Sequence, residues 1–445
     1  MKTAVQLIPC IFVALCLLSC ATNLNAYREI DSIVKSGSYS QALEAIEKER
    51  NNKRSIYSEK NNILFYLDRG MMNHYAGFYA ESTADLQEAA YLIEDAFTKS
   101  ISQEAASFIA NDNVKDYSGE DYEDLYINVF NALNYYHSND IEGALVEIRR
   151  VNEKLTVLAD KYERASNKVL SAAPDLANVD YKVEAVRFSN SALARYVSAL
   201  LYRAKGDYDD VRIDLGELLR AYELAPAVYD HSPPSSLADE QSIPSGMARL
   251  NVIGFTGLSP VKEEIRITIP LPFPPPNSLA TLALPKMTDR PSDIESMEVV
   301  LDTGQKFDLE LLEDISKVAQ ETFKGKYGLT FVKAAARTVL KAAAGAGAAH
   351  LAKEQGGELA GYLTGLAGLI VADASEKADL RLSRYFPARA LVGGINLVPG
   401  TYSIMVNYYD HGGRLIATDR QDNIVVEMNK LNLAHFVRFG LTSPS

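Results

Sequence analysis

Apolar positions recur at helical spacing from about Ala21 to Pro226 and switch to a period of two beyond about Leu250. The first stretch has few glycines and no proline between Cys20 and Pro174, so it predicts helices throughout. Four places within it share one signature. A turn residue is followed two positions on by an aromatic or aliphatic residue, then a small residue three later and an apolar residue four after that. They are Gly37 with Tyr39, Ala42 and Ile46, then Gly77 with Tyr79, Ser82 and Leu86. Asn139 with Ile141, Ala144 and Ile148 is the third, and Gly206 with Tyr208, Val211 and Leu215 the fourth. Each predicts a helical hairpin. Gly or Asn permits the left-handed residue that ends the first helix, and the small residue lets the second helix approach closely.

In the second half, 250–255, 264–269, 297–301, 401–409, 414–418, 424–428 and 433–438 alternate like strands. His411-Gly412-Gly413 predicts a hairpin turn. Between the halves, Tyr229 to Ser245 is rich in Ser and Pro and predicts a linker. One segment interrupts the strand pattern. Val332 to Leu351 is Ala-rich, and a following helix carries Gly357, Gly361 and Gly365 four residues apart, predicting a helical hairpin. Glycine at that spacing permits close helix packing. The apolar run Leu359 to Ala372 is fourteen residues, below the roughly 20 that span a bilayer. Such a hairpin either covers the sheet or the helical half, or touches lipid or a second copy.

The four hairpin signatures resemble the tetratricopeptide (TPR) repeat, with Gly70, Ala132 and Ala199 at the small-residue position of the first helix. The turns are 40, 62 and 67 residues apart, against about 34 in a strict array, so the resemblance implies divergent units with insertions. Phe65-Tyr66-Leu67-Asp68-Arg69-Gly70-Met71, Gly119-Glu120-Asp121-Tyr122-Glu123, Asn131-Ala132-Leu133-Asn134-Tyr135 and Leu258-Ser259-Pro260-Val261 are similar to an uncharacterised family of bacterial envelope lipoproteins bearing such repeats. The resemblance implies a place in the envelope more than a mechanism. The fold expectation is α+β and multidomain: a TPR-like α-superhelix, then a β-sandwich-like domain with an inserted Ala/Gly-rich helical hairpin. The boundaries are 1–19 signal peptide, 20–226 helical domain, 227–246 linker and 247–445 β-rich domain, with the insertion at about 310–378.

The N-terminus changes the picture. Lys2 precedes an apolar run from Ala4 to Leu18, which closes on Leu17-Leu18-Ser19-Cys20. A positive start, a short apolar run and a small residue at the cut describe a secretory signal peptide. A Cys directly after it resembles the bacterial lipobox, which implies lipid on Cys20; Ala21 implies sorting to the outer membrane. All three cysteines, Cys10, Cys16 and Cys20, lie in this segment, so the mature chain has no disulfide to form.

With 45 basic against 58 acidic residues the chain carries −13, which disfavours nucleic acid. The expected partners are a membrane, through the anchor, and an envelope protein. None of the six histidines falls in an HExxH pair, and no cysteine is placed to complete a zinc set. Asp112, Asp116, Glu120, Asp121, Glu123 and Asp124 form an acidic stretch lacking EF-hand spacing, expected as a solvated loop. No metal, cofactor or catalytic residue is expected. Two functions follow: a scaffold binding its partner in a TPR groove, where Tyr66, Tyr75, Tyr79, Tyr135, Tyr136, Tyr196, Tyr202 and Tyr208 are candidate contacts, or a membrane-active export component using the Ala/Gly hairpin.

Overall fold

The computed structural model describes residues 26–53, 55–102, 115–172, 186–270, 279–356 and 377–440. Helix α1 covers 26–35. It is followed by α2 (Tyr39–Arg50), α3 (Asn62–Tyr75), α4 (Tyr79–Ser102), α5 (Asp121–His137), α6 (Ile141–Ala172), α7 (Ala192–Lys205) and α8 (Tyr208–Leu224). The four signature turns join α1 to α2, α3 to α4, α5 to α6 and α7 to α8. At each, Gly37, Gly77, Asn139 and Gly206 take φ of 76°, 82°, 59° and 81°. Their N–H groups donate three residues back, and those of Ser38, Phe78, Asp140 and Asp207 donate five residues back. This is the Schellman arrangement, repeated four times. The small residues Ala42, Ser82, Ala144 and Val211 are all buried.

The hairpins do not build a TPR superhelix, which corrects the expectation. A superhelix leaves the first helix of each unit facing an open groove. Here α5 is buried without a break from Leu125 through Asn134, as a helix must be when it is covered on every side. α3 and α7 each bury ten residues. What covers them is the second half of the chain. Tyr75 donates to the Tyr385 carbonyl and Tyr136 to that of Leu431, at 2.8 and 3.0 Å. Asn251 donates to the Tyr196 hydroxyl. These tyrosines bind the protein itself.

The second half holds β1 (Ala248–Leu258), β2 (Val261–Pro270), β3 (Leu279–Thr288), β4 (Ser296–Leu301), β5 (Lys306–Asp314), α9 (Ile315–Gly356), β6 (Pro387–Leu397), β7 (Gly400–Tyr409), β8 (Leu415–Val426) and β9 (Asn432–Arg438). Seven strands form one mixed sheet in the order β8-β7-β4-β5-β6-β1-β9, with β1 and β9 parallel and the other neighbours antiparallel. It is not a sandwich. The sheet curls until its edges nearly meet, where Arg438 of β9 reaches Asp419 of β8 at 2.9 Å.

β1 shows why no second sheet is needed. All eleven of its residues are buried. Ala248, Leu250 and Val252 point into the curled sheet with Met297, Val299 and Val406. Ile253 and Phe255 point the other way, into the core shared with the helices. There the Phe130 ring of α5 lies 5.2 Å from Phe255 and 6.0 Å from Phe386. One core therefore runs through both halves. The 227–246 segment takes part in it, with Val228, Tyr229, Leu237 and Glu240 buried.

The expected helical hairpin also differs. Its first limb is part of α9, one continuous helix from Ile315 to Gly356. Gly357, Gly361 and Gly365 lie outside the described residues. The β2–β3 ribbon packs on α9 through Ile269, Leu282, Leu284, Phe331 and Val332, a core of its own.

Gly70 tests the α3–α4 contact. A Cβ there would lie 2.8 Å from Leu86 Cδ2 and 3.2 Å from Asp85 Cβ. Gly70→Val is expected to cost about 1–3 kcal/mol through overpacking, read as a lower urea midpoint. An unchanged midpoint contradicts the contact.

Candidate functional site

The polar chemistry of the molecule is concentrated where the helices meet the sheet, in four buried clusters. The first lies at the start of α5, where acidic residues suit the positive end of the helix. Glu123 accepts the Glu120 N–H at 2.8 Å. The Glu120 carboxylate takes Lys262 of β2 and Lys326 of α9. Asp121 takes Lys161 at 2.6 Å and the Tyr162 hydroxyl, and Asp124 takes Lys154 at 2.6 Å. Glu120, Asp121 and Glu123 are buried, correcting the solvated loop expected there. Three of its carboxylates are each matched by lysine from another element, so the charge a cation would supply is already present.

The second cluster centres on Glu313 in β5, fully buried just past a shift in register with β6. Tyr126 and Tyr229 donate to it at 2.6 and 2.5 Å, joined by the Ser191 hydroxyl and the Leu193 N–H at the start of α7. Burial pushes its carboxyl up, and the donors pull back. In the third, Glu240 bridges two buried guanidiniums, Arg203 of α7 and Arg249 of β1, the latter at 2.7 Å. Asn251 donates to the same carboxylate at 2.7 Å.

The fourth brings together histidines from α3, α5 and β9. His137 Nε2 and His435 Nδ1 are 2.8 Å apart, and the His74 ring stacks on that of His435 at 5.0 Å. Tyr79 stacks on His137 at 4.4 Å. The His74 and His435 planes differ by only 23°, so their in-plane lone pairs do not converge on a common point. Among the described residues no group of three metal-binding side chains is arranged to hold an ion. Burial lowers His74 to about 3 and His137 to about 4, and it holds His435 well below its ordinary value.

One open cleft of 430 Å³ lies between α2, α3 and α4, lined by Leu43, Glu47, Arg69, Asn73, Glu81, Ala84 and Asp85. Arg69 is held by Asp85 at 2.6 and 2.9 Å and by Glu47 at 2.6 Å. Asn73 also donates to Asp85. The remaining exposed charge is acidic, from Glu81 and the rim of Glu47.

The candidate residues read from the sequence do not form one site. Gly37, Gly77, Asn139 and Gly206 each close their own turn, and Ala42 and Ala144 are packing residues. Tyr39 donates to the Val437 carbonyl at 2.9 Å, Tyr79 joins the histidines, and Tyr208 is exposed. Cys20 lies outside the described residues. Asp68, Glu240, Glu313 and His435 were not anticipated. Asp68 did leave a signal, a carboxylate within the mostly apolar Phe65 to Met72; Glu313 left none, because Leu309 to Ile315 carries Glu310 and Asp314 as well. No protein-family model, curated protein or solved structure matches this chain.

Two outcomes follow. Removing Glu240 strands two buried guanidiniums, so Glu240→Ala is expected to cost about 3–5 kcal/mol, seen as a lower melting temperature. The histidines favour the fold only while neutral. Because their folded pKa values are depressed, this contribution is complete above about pH 6.5 and is lost as pH falls through about 4 and 3. Denaturant midpoints measured from pH 7 to pH 4 should fall less in His74→Gln than in the parent; parallel curves contradict the assignment.

Proposed function

We propose that this protein is a lipid-anchored scaffold of the bacterial cell envelope, tethered through Cys20 and offering the outer face of α2–α4 to a protein partner. The observation that supports it most is the closed seam. The carboxylates of the first three clusters are already matched by groups of the same chain, and the histidines of the fourth by one another and by Tyr79, which suits architecture better than turnover. The groove expected to hold a peptide is filled by the sheet. A partner is therefore met on the outside, where the cleft offers apolar walls at Leu43 and Ala84 under an acidic rim. A basic segment complements that rim.

Two experiments in cells test the parts separately. Cys20→Ala should leave the precursor uncleaved or the protein released from membranes; normal maturation and fractionation would sink the anchor. Glu81→Lys, which reverses the exposed rim charge and leaves the Arg69–Glu47–Asp85 pairing intact, should abolish crosslinking to the partner while the melting temperature changes by no more than about 2 °C, as surface substitutions cost little. Retained crosslinking moves the contact elsewhere.

A second reading draws on the β2–β3 ribbon seated on α9 with a core of its own. Such an arm suits an export component that engages a membrane or an assembly. No described helix is long and apolar enough to cross a bilayer, so this reading needs surface contact rather than a span. Weak liposome binding that disappears when the ribbon is shortened would favour it over the scaffold.

A further inference from the structure

The chain enters β6 by a strap, 377–386, that runs along α3, from Arg381 on Asn61 to Tyr385 at Tyr75, and past the start of α5 at Glu123. Ser383 sits at its centre, fully buried between two carboxylates. Its hydroxyl donates to Asp68 of α3 at 2.7 Å, and its N–H donates to Glu123 of α5 at 2.6 Å. The Arg384 N–H adds a bond to Asp68 at 3.1 Å. We propose that this pair of carboxylates makes docking of the strap depend on pH in the neutral range, with the strap held when they carry protons and loosened when both ionise.

The geometry suits both protonation states. No ammonium or guanidinium touches either carboxylate; the remaining contacts are Tyr57 to Asp68 and Tyr117 and the Glu120 N–H to Glu123, all at 2.8 Å. A hydroxyl both donates and accepts. When Asp68 is protonated its O–H donates a hydrogen bond to the Tyr57 or Ser383 hydroxyl, and that of Glu123 donates to the Tyr117 hydroxyl. The Glu120 carboxylate close by is different, because two ammoniums, Lys262 and Lys326, lie directly on it.

The surrounding charges are committed elsewhere. Around Asp68, the Arg384 side chain lies on Asp31 of α1 at 2.6 Å and over the Tyr27 ring. Arg290, from the segment before β4, also reaches Asp31, and Tyr385 of the strap lies nearby. Around Glu123 stand Tyr117 and Tyr122, and Glu120 with Lys262 of β2 and Lys326 of α9. Burial pushes Asp68 up to about 6, and burial with the Glu120 charge pushes Glu123 to about 7.

The sign follows from linkage. With the strap away, water reaches both groups and they titrate near ordinary carboxylate values. The docked state therefore binds more protons, and docking weakens as pH rises from about 5 through about 6 and 7.

Hydrogen exchange on the purified full chain, corrected for the intrinsic rate at each pH, reads this directly. Protection of the Ser383 and Arg384 amides should fall roughly tenfold between pH 6 and pH 8, while β1 amides keep theirs. Glu123→Gln should flatten that dependence. Equal protection at both pH values, or a dependence that survives in Glu123→Gln, overturns the proposal. Should that variant fail to fold, Tyr117→Phe provides the second arm. Losing a donor to the carboxylate should move the midpoint to higher pH, and an unmoved midpoint overturns the proposal equally.

Discussion

Carboxylates buried between two halves of a chain constrain everything around them. Glu313, Glu240, Asp68 and Glu123 are each 1% exposed or less, and an ionised or even neutral carboxyl in that setting is costly without donors. Their donors come from the opposite half: Tyr126 and Ser191 for Glu313, Ser383 for Asp68 and Glu123. Separating the halves would expose these groups to water and strip away their partners together with the Phe130–Phe255–Phe386 contact. The helices and the sheet are therefore parts of one cooperative object.

That constraint explains the departure from a repeat array. Each hairpin is locally ordinary, closed by the same left-handed turn and the same buried small residue. In an open superhelix every unit would repeat its neighbour's contacts. Here the unit-to-unit spacing is irregular, and the helices that would line a groove are instead faced by strands. The sheet answers the same demand from the other side. β1 has helices on one face and the interior of its own curl on the other, so two cores are served by one strand.

The same seam divides the chemistry. Glu120, Asp121 and Asp124 are matched by lysines and act as charge-paired anchors. Asp68, Glu123 and Glu313 are matched mainly by hydroxyls and backbone N–H groups, and the hydroxyls can turn from donor to acceptor when a proton is added. The histidines at β9 form a third kind, stacked and neutral, with no carboxylate in hydrogen-bond contact.

Local physics was enough to place the four turns, since Gly and Asn readily accept the left-handed backbone at 37, 77, 139 and 206, and to read β1, β2, β4, β7 and β9 from alternation; the strands expected at 414–418 and 424–428 belong to one strand, β8. The resemblance of Leu17-Leu18-Ser19-Cys20 to a lipobox rests on four adjacent residues outside the described ones. β3, β5 and β6 escaped notice for identifiable reasons. β3 carries Pro285, tolerated because it lies in a two-stranded ribbon. β5 runs straight into α9. β6 contains Gly393-Gly394, where a Cβ would meet the Asp308 and Leu250 carbonyls of neighbouring strands at 2.9 Å. Whether the helices stacked into a groove, and whether the strands closed on themselves or on a second sheet, depended on contacts between residues 100–300 positions apart. So did the meaning of Asp68, Glu313 and the histidines, because a buried charge is defined by partners that only the folded chain brings to it.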